Sequence, residues 1–216
     1  MNPSVRHSTR LLWVGLSLAG SLLVLALLLA VLTRSAGHAL PVYGPVAPFT
    51  LTNQDNRPVT LSDLRGQVWV ADIIFTRCPG PCLKMTRQMQ ELQTGLPPGS
   101  GAKLVSLTTD AAYDSPTVLK AYAQRFQADP KRWMFLTGNP SDIANLAVNS
   151  LKLTAIPKKP EERESAADLF VHSTIFVLVD KQARLRGIFE TSGEGLDPAQ
   201  VRQDILGAVK KLERER

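Results

Sequence analysis

Cys78-Pro79-Gly80-Pro81-Cys82 is the stretch of this chain best equipped for chemistry, and it holds both of its cysteines. A disulfide across so short a loop removes little entropy from the unfolded chain, so it makes a poor structural staple. Reactive or metal-binding thiols explain the spacing more economically. An apolar, strand-like run precedes the pair and a helical pattern follows it. Free N–H groups and the dipole at a helix start favour a thiolate there. Two thiols with three residues between them can close on each other as a disulfide or converge on one metal ion. Pro79 and Pro81 restrict the loop and reduce the entropy lost in either event. The alternative, two cysteines buried as small apolar residues, fits badly with Pro-Gly-Pro between them.

His172 is the third candidate. It stands immediately before an apolar, strand-like run, and the start of an antiparallel strand can lie beside the end of a parallel neighbour, where the cysteine loop begins. A surface or structural histidine is the competing interpretation. Two thiolates and an imidazole form a soft, three-coordinate set suited to Cu(I), and to Cu(II) with one added ligand. Structural zinc wants four protein ligands. No further cysteine exists, and His7 and His38 lie in the N-terminal tail and the stretch after it. Asp72, inside the apolar run, is either a helper to the site or a buried structural group. Met85 and Met89, one helical turn apart, read as core residues rather than thioether ligands.

The elements that must position these residues follow from periodicity. Phe49–Thr52 and Val59–Leu61 bracket a polar turn and read as a β-hairpin. Val68–Phe75 is nearly all apolar, the pattern of a central strand covered on both faces. Leu83, Met85, Met89 and Leu92 mark the helix after the cysteines, and Lys103–Leu107 the next strand. Asp114-Ser115-Pro116, Asn139-Pro140 and Asp197-Pro198 open helices, because the polar residue can cap and proline fits the first turn. Trp133–Leu136, Thr174–Val179 and Leu185–Phe189 are strands, the last two antiparallel around the Asp180–Ala183 turn. Pro157–Ala167 is charged and reads as an exposed insertion. Alternating strands and helices before a closing hairpin and helix give an α/β fold, a mixed sheet with flanking helices.

From Leu11 to Thr33 the sequence has 23 residues without a charge. At about 1.5 Å per residue this run can cross a hydrocarbon core of about 30 Å. It exceeds the apolar region of a signal peptide, about 7–15 residues. An uncleaved transmembrane signal anchor is therefore expected at 11–33, with a cytoplasmic tail at 1–10, since Arg6 and Arg10 precede the span. A tether at 34–46 and a domain at 47–216 follow. The net charge of +6 shrinks once Arg6, Arg10 and Arg34, which flank the span, are set aside. What remains is near balance and argues against a nucleic-acid partner.

The chain resembles the Sco/SenC family. The matching residues are Phe75-Thr76-Arg77-Cys78-Pro79 with Cys82, Thr109-Asp110 followed by Asp114-Ser115-Pro116, and Val171-His172-Ser173 leading into a strand that ends Leu178-Val179-Asp180. The resemblance spans about residues 47–212 and implies a thioredoxin-like fold. It implies that Cys78, Cys82 and His172 are copper ligands, and that copper is delivered to, or thiols are reduced at, the binuclear copper site of a cytochrome oxidase subunit. Gly80 and Val171 stand where the family often has aspartates, so Cu(II) should be held less well. Expected on these grounds is an inner-membrane, single-pass protein with its domain in the periplasm. A thiol–disulfide reductase with Cys78 and Cys82 as catalytic residues is the second expectation. A tethered binding module with a permanent disulfide is the third.

Overall fold

The computed structural model describes residues 20–26, 39–78, 80–163 and 170–215. The chain forms two compact units, Met1–Ala39 and Leu40–Arg216. In the first, residues 20–26 are helical and Leu22, Leu23, Val24 and Leu25 are exposed. The remainder of the expected span Leu11–Thr33 lies outside the described residues, as does the tail before it. Among the described residues no helix is long and apolar enough to cross a membrane.

The second unit carries β1 (Gly44–Pro45), β2 (Thr50–Asn53), β3 (Pro58–Thr60), α1 (Leu61–Leu64), β4 (Trp69–Ile74), α2 (Pro81–Gly95) and β5 (Lys103–Thr108). Then come α3 (Pro116–Arg125), β6 (Trp133–Thr137), α4 (Pro140–Ala144), a π-helical turn (Asn145–Ser150) and β7 (Ala155–Pro157). A 3-10 turn (Pro160–Glu162), β8 (Phe170–His172), β9 (Ile175–Val179), β10 (Arg184–Glu190) and α5 (Pro198–Arg214) complete it. Eight strands form one sheet in the order β1-β10-β9-β4-β5-β6-β2-β3. The middle strands β4, β5 and β6 run parallel, while β9 is antiparallel to β4 and β2 to β6. This is the mixed α/β sheet with flanking helices expected from the pattern, in the thioredoxin-like form that the resemblance implied.

β4 shows why. All six of its residues are buried, and they alternate between two cores. Val68, Val70 and Ile74 face α2, α3 and α5, through Met85, Met89, Tyr122, Phe126 and Ile205. Trp69, Ala71 and Ile73 face the opposite layer of α1 and α4, with Leu64, Ile143 and Leu146. A strand with helices over both faces has no polar side to present. Three helices start with the same device, a side-chain cap followed by proline. Ser115 accepts from the Val118 N–H, Asn139 from the Ser141 N–H and Asp197 from the Ala199 N–H.

Three features depart from the expectations. Residues 40–46, expected in the tether, lie along β10. The Tyr43 N–H donates to the Leu185 carbonyl and that of Val46 to Ala183, each at 2.8 Å. On either side of the expected insertion Pro157–Ala167, β7 and β8 pair as a two-stranded ribbon, with Ala155 opposite His172. Between the two strands, residues 164–169 lie outside the described residues. In β10 the register slips between Leu185 and Gly187. A bulge leaves one residue unpaired and re-aims its side chain. Here that residue is Arg186, which turns inward to 3% exposure.

Candidate functional site

The cysteine loop leaves the C-terminal end of β4, at the edge of the core beneath α2. Thr76 and Arg77 form a turn, and the Cys78 N–H donates to the Phe75 carbonyl at 3.2 Å. Gly80 occupies the cap position of α2 without a side-chain cap, and Pro81 opens the helix. Proline lacks an N–H and fits where a helix has no intrahelical partner for one. Cys82 is the second residue of α2 and is fully buried, while Cys78 is half-buried. The loop thus presents one thiol to the surface and keeps the other behind it.

The two thiols meet. Cys82 shares a hydrogen bond with Cys78, and this, followed by burial and the Cys78 charge, pushes the Cys82 pKa well above its ordinary value. A hydrogen bond with the Phe75 backbone opposes the rise, and the charge of Asp72 adds to it. Asp72 is fully buried on the α2 side of β4, between Val70 and Ile74. Its charge also acts on Tyr122, whose hydroxyl burial holds protonated and which meets Thr86 Oγ1 at 2.9 Å. Thr86 in turn donates to the Cys82 carbonyl at 2.8 Å. Asp72 is thus a fully buried group whose charge is the least of the influences on Cys82. Met85 and Met89 are buried in the same core.

The loop is also held from the β5 side. Asp114, fully buried ahead of α3, accepts from the Thr76 N–H at 3.1 Å, from the Thr76 hydroxyl, and from the Thr108 hydroxyl at 2.5 Å. Arg77 donates to Asp110 through Nε at 3.1 Å and Nη2 at 2.5 Å, and its guanidinium lies over the Tyr113 ring at 4.1 Å. The sequence marked Thr76, Arg77, Asp110 and Asp114 only as parts of shared motifs, without a role. Nothing in the pattern could assign one, because the contacts join residues 33 and 38 positions apart.

His172 enters through the backbone. It ends β8, two residues ahead of β9. The β4–β9 ladder pairs Trp69 with Val179 and Ala71 with Val177, so each step toward the cysteine loop is a step back toward His172. A second path agrees. Gln88 of α2 donates to the Thr191 carbonyl at 3.1 Å, and the Thr191 N–H donates to Thr174 at 2.8 Å. The topology therefore brings the His172 backbone to the end of the sheet from which the cysteine loop emerges. Among the described residues no group of three or more His, Cys, Asp and Glu stands ready to hold a metal. Two adjacent soft sulfur donors, one half-buried and one buried behind it, fit copper by their chemistry.

A mixed, thioredoxin-like sheet with a cysteine pair at the end of its central parallel strand defines the class of protein. The SCO1/SenC family model matches residues 43–210, and the chain belongs to this family. It is 37% identical over 147 residues to the SCO1 protein homolog of Bacillus subtilis, a match covering 67% of this chain and 73% of that one. The structure of BsSco, described as having a disulfide switch and as a member of the Sco family of cytochrome c oxidase assembly proteins, superposes with a TM-score of 0.68. It is 33% identical, covering 83% of this chain and all of that one. Yeast Sco1 with copper bound gives a TM-score of 0.63 at 25% identity, over 79% and 90% of the two chains.

Proposed function

We propose that this chain is a membrane-anchored copper-binding protein that delivers copper to, or matures the copper site of, a respiratory oxidase. The Cys78 and Cys82 thiolates and a His172 nitrogen hold Cu(I), and the residues of 11–33 anchor the domain at the inner membrane, facing the periplasm. The observation that carries this reading is the contact between the two thiols, one half-exposed and one buried. Such a pair is prepared to chelate one soft ion while leaving a face open to a partner. Transfer proceeds as a client's thiolates replace these ligands one at a time, so a free coordinating position is never needed for long. Relatives described with copper bound support the choice of metal.

Titration of Cu(I) into the reduced unit 40–216, against a competing chelator and beside His172→Ala, tests the reading. One-to-one binding is expected, weakened by the substitution at least as much as the roughly 10–100-fold that loss of a group merely supporting a metal ligand costs. Weak binding unchanged by the substitution overturns it.

The asymmetry of the thiols also favours thiol–disulfide exchange. The Cys78 thiolate attacks a client disulfide, breaking its S–S bond and releasing one client thiolate. In the mixed disulfide Cys78 is no thiolate, so the hydrogen bond with Cys78, the largest cause of the raised Cys82 pKa, and the Cys78 charge no longer hold the Cys82 proton. Cys82 can then lose its proton and attack Cys78 Sγ. This releases the second client thiolate and leaves a Cys78–Cys82 disulfide, so two electrons pass to the client. Loss of His172 leaves this route intact.

A further inference from the structure

Asp114 is 36 residues away from Cys78 in sequence and lies outside the set of copper and redox ligands. Its carboxylate is nevertheless a point at which the cysteine loop is fastened to the rest of the fold, beside the Arg77–Asp110 pair. Full burial at 0% exposure would be costly for a carboxylate without donors. Here three donors converge on it from two different elements. Two belong to Thr76, the N–H at 3.1 Å and the hydroxyl, and the third is the Thr108 hydroxyl at 2.5 Å from the end of β5. Thr108 Oγ1 in turn accepts from the Asp110 N–H at 3.0 Å, and the Asp114 N–H donates to the Asp110 carbonyl at 2.8 Å. The carboxylate is thus itself held rigidly at both its backbone and its side chain.

Thr76 is the first residue beyond Phe75, after β4, and lies two residues before Cys78. Past it the loop contains Gly80 and has no side-chain cap at the start of α2. Cys82 is fixed by burial in α2, whereas half-buried Cys78 depends on the loop for its position. The position of Cys78 relative to Cys82 therefore depends on what holds the loop, with Thr76 beside the Arg77–Asp110 pair and the Cys78 N–H bond to Phe75.

We propose that Asp114 is a positioning residue for Cys78. Acting through Thr76, it sets the separation and orientation of the two thiols, and so both the affinity for Cu(I) and the dithiol–disulfide equilibrium. The inference rests on Cys78 and Cys82 being the working pair. Loosening Thr76 lets Cys78 drift from Cys82, which disfavours chelation and the closed disulfide alike.

The test compares the unit 40–216, whose wild type first establishes the thiol and copper chemistry, with Asp114→Asn, Thr76→Val and Thr76→Ser. Asp114→Asn loses one acceptor oxygen, and Thr76→Val loses the hydroxyl while keeping shape and N–H. The dithiol–disulfide equilibrium against glutathione is read without metal, so it reports on Asp114 whether or not copper binds. For Asp114→Asn and Thr76→Val a tenfold shift toward the dithiol is expected, equal to about 30 mV. Cu(I) affinity should fall by a similar factor, Thr76→Ser should behave as wild type, and the double variant should lose less than the sum of the two single losses. Lowered thermal stability with an unmoved equilibrium in the folded variants, or simple additivity in the double variant, overturns the proposal by making Asp114 structural only.

Discussion

At the scale of single residues, the cysteines are chemically unequal although the sequence presents them symmetrically. Cys82 sits behind Cys78 and keeps its proton, because the contact with Cys78 and burial both disfavour its thiolate. This has a consequence for stability. Unfolded, the thiol titrates near its ordinary value of 9.0, while in the folded protein it stays protonated above that pH. Above about pH 9 the unfolded chain therefore has fewer bound protons than the folded one, and each further pH unit favours unfolding by up to about 1.4 kcal/mol per group. The stabilisation is complete below the ordinary thiol pKa and is lost as pH rises past it. Thermal melts of the reduced domain between pH 7 and 10.5 should show Tm falling from about pH 9. Cys82→Ala should flatten the onset, leaving the part due to Tyr122, which begins from its ordinary value of 10.0. A Tm profile identical in the two proteins would contradict the buried, protonated Cys82.

At the scale of elements, the strongest signals were the continuous apolar run of β4 and the cap-proline starts of α3, α4 and α5. Each is local: six buried residues need two covered faces, and a cap bonds within three positions of itself. The β7–β8 ribbon was missed because its two strands are three residues each and separated by a charged stretch. Short strands gain their stability from the partner, which periodicity does not reveal. The apolar run Leu11–Thr33 is the one element argued from its length alone. If it spans the bilayer, the full-length chain should stay in the membrane pellet under alkaline carbonate, whereas 40–216 should be soluble. Release of the full chain by carbonate would remove the anchor.

At the scale of the whole molecule, the two ends of the unit Leu40–Arg216 are tied at one buried arginine. The bulge in β10 aims Arg186 inward, where it donates to Asp180 at 2.7 Å, to Glu215 just after α5 at 2.8 Å, and to the Leu40 and Pro41 carbonyls. Burial opposes the charge of Asp180, but hydrogen bonds from Arg184 and Arg186 prevail and lower its pKa. Arg186→Met would leave the buried Asp180 with less compensation. Removing one partner of a buried pair costs about 3–5 kcal/mol. Chemical denaturation should show a loss of that order, together with faster hydrogen exchange at Tyr43 and Val46, whose N–H groups bond to Leu185 and Ala183. A loss below about 1 kcal/mol, the range of exposed pairs, would show the clasp to be incidental.

The sequence by itself determined the strand–helix order, the two-sided burial of β4, the cysteine pair and its place between a strand and a helix start. These depend on spacings of a few residues, where the backbone alone decides which side chains share a face. Tertiary structure decided which thiol is exposed, that Asp72 lies close enough to influence Cys82, and that Asp114 fastens the loop through Thr76. It also decided that the chain arrives from His172 at the cysteine end of the sheet. Those outcomes depend on which strands become neighbours, and burial then makes contacts between distant residues count, because a hydrogen bond or charge removed from water has few alternatives.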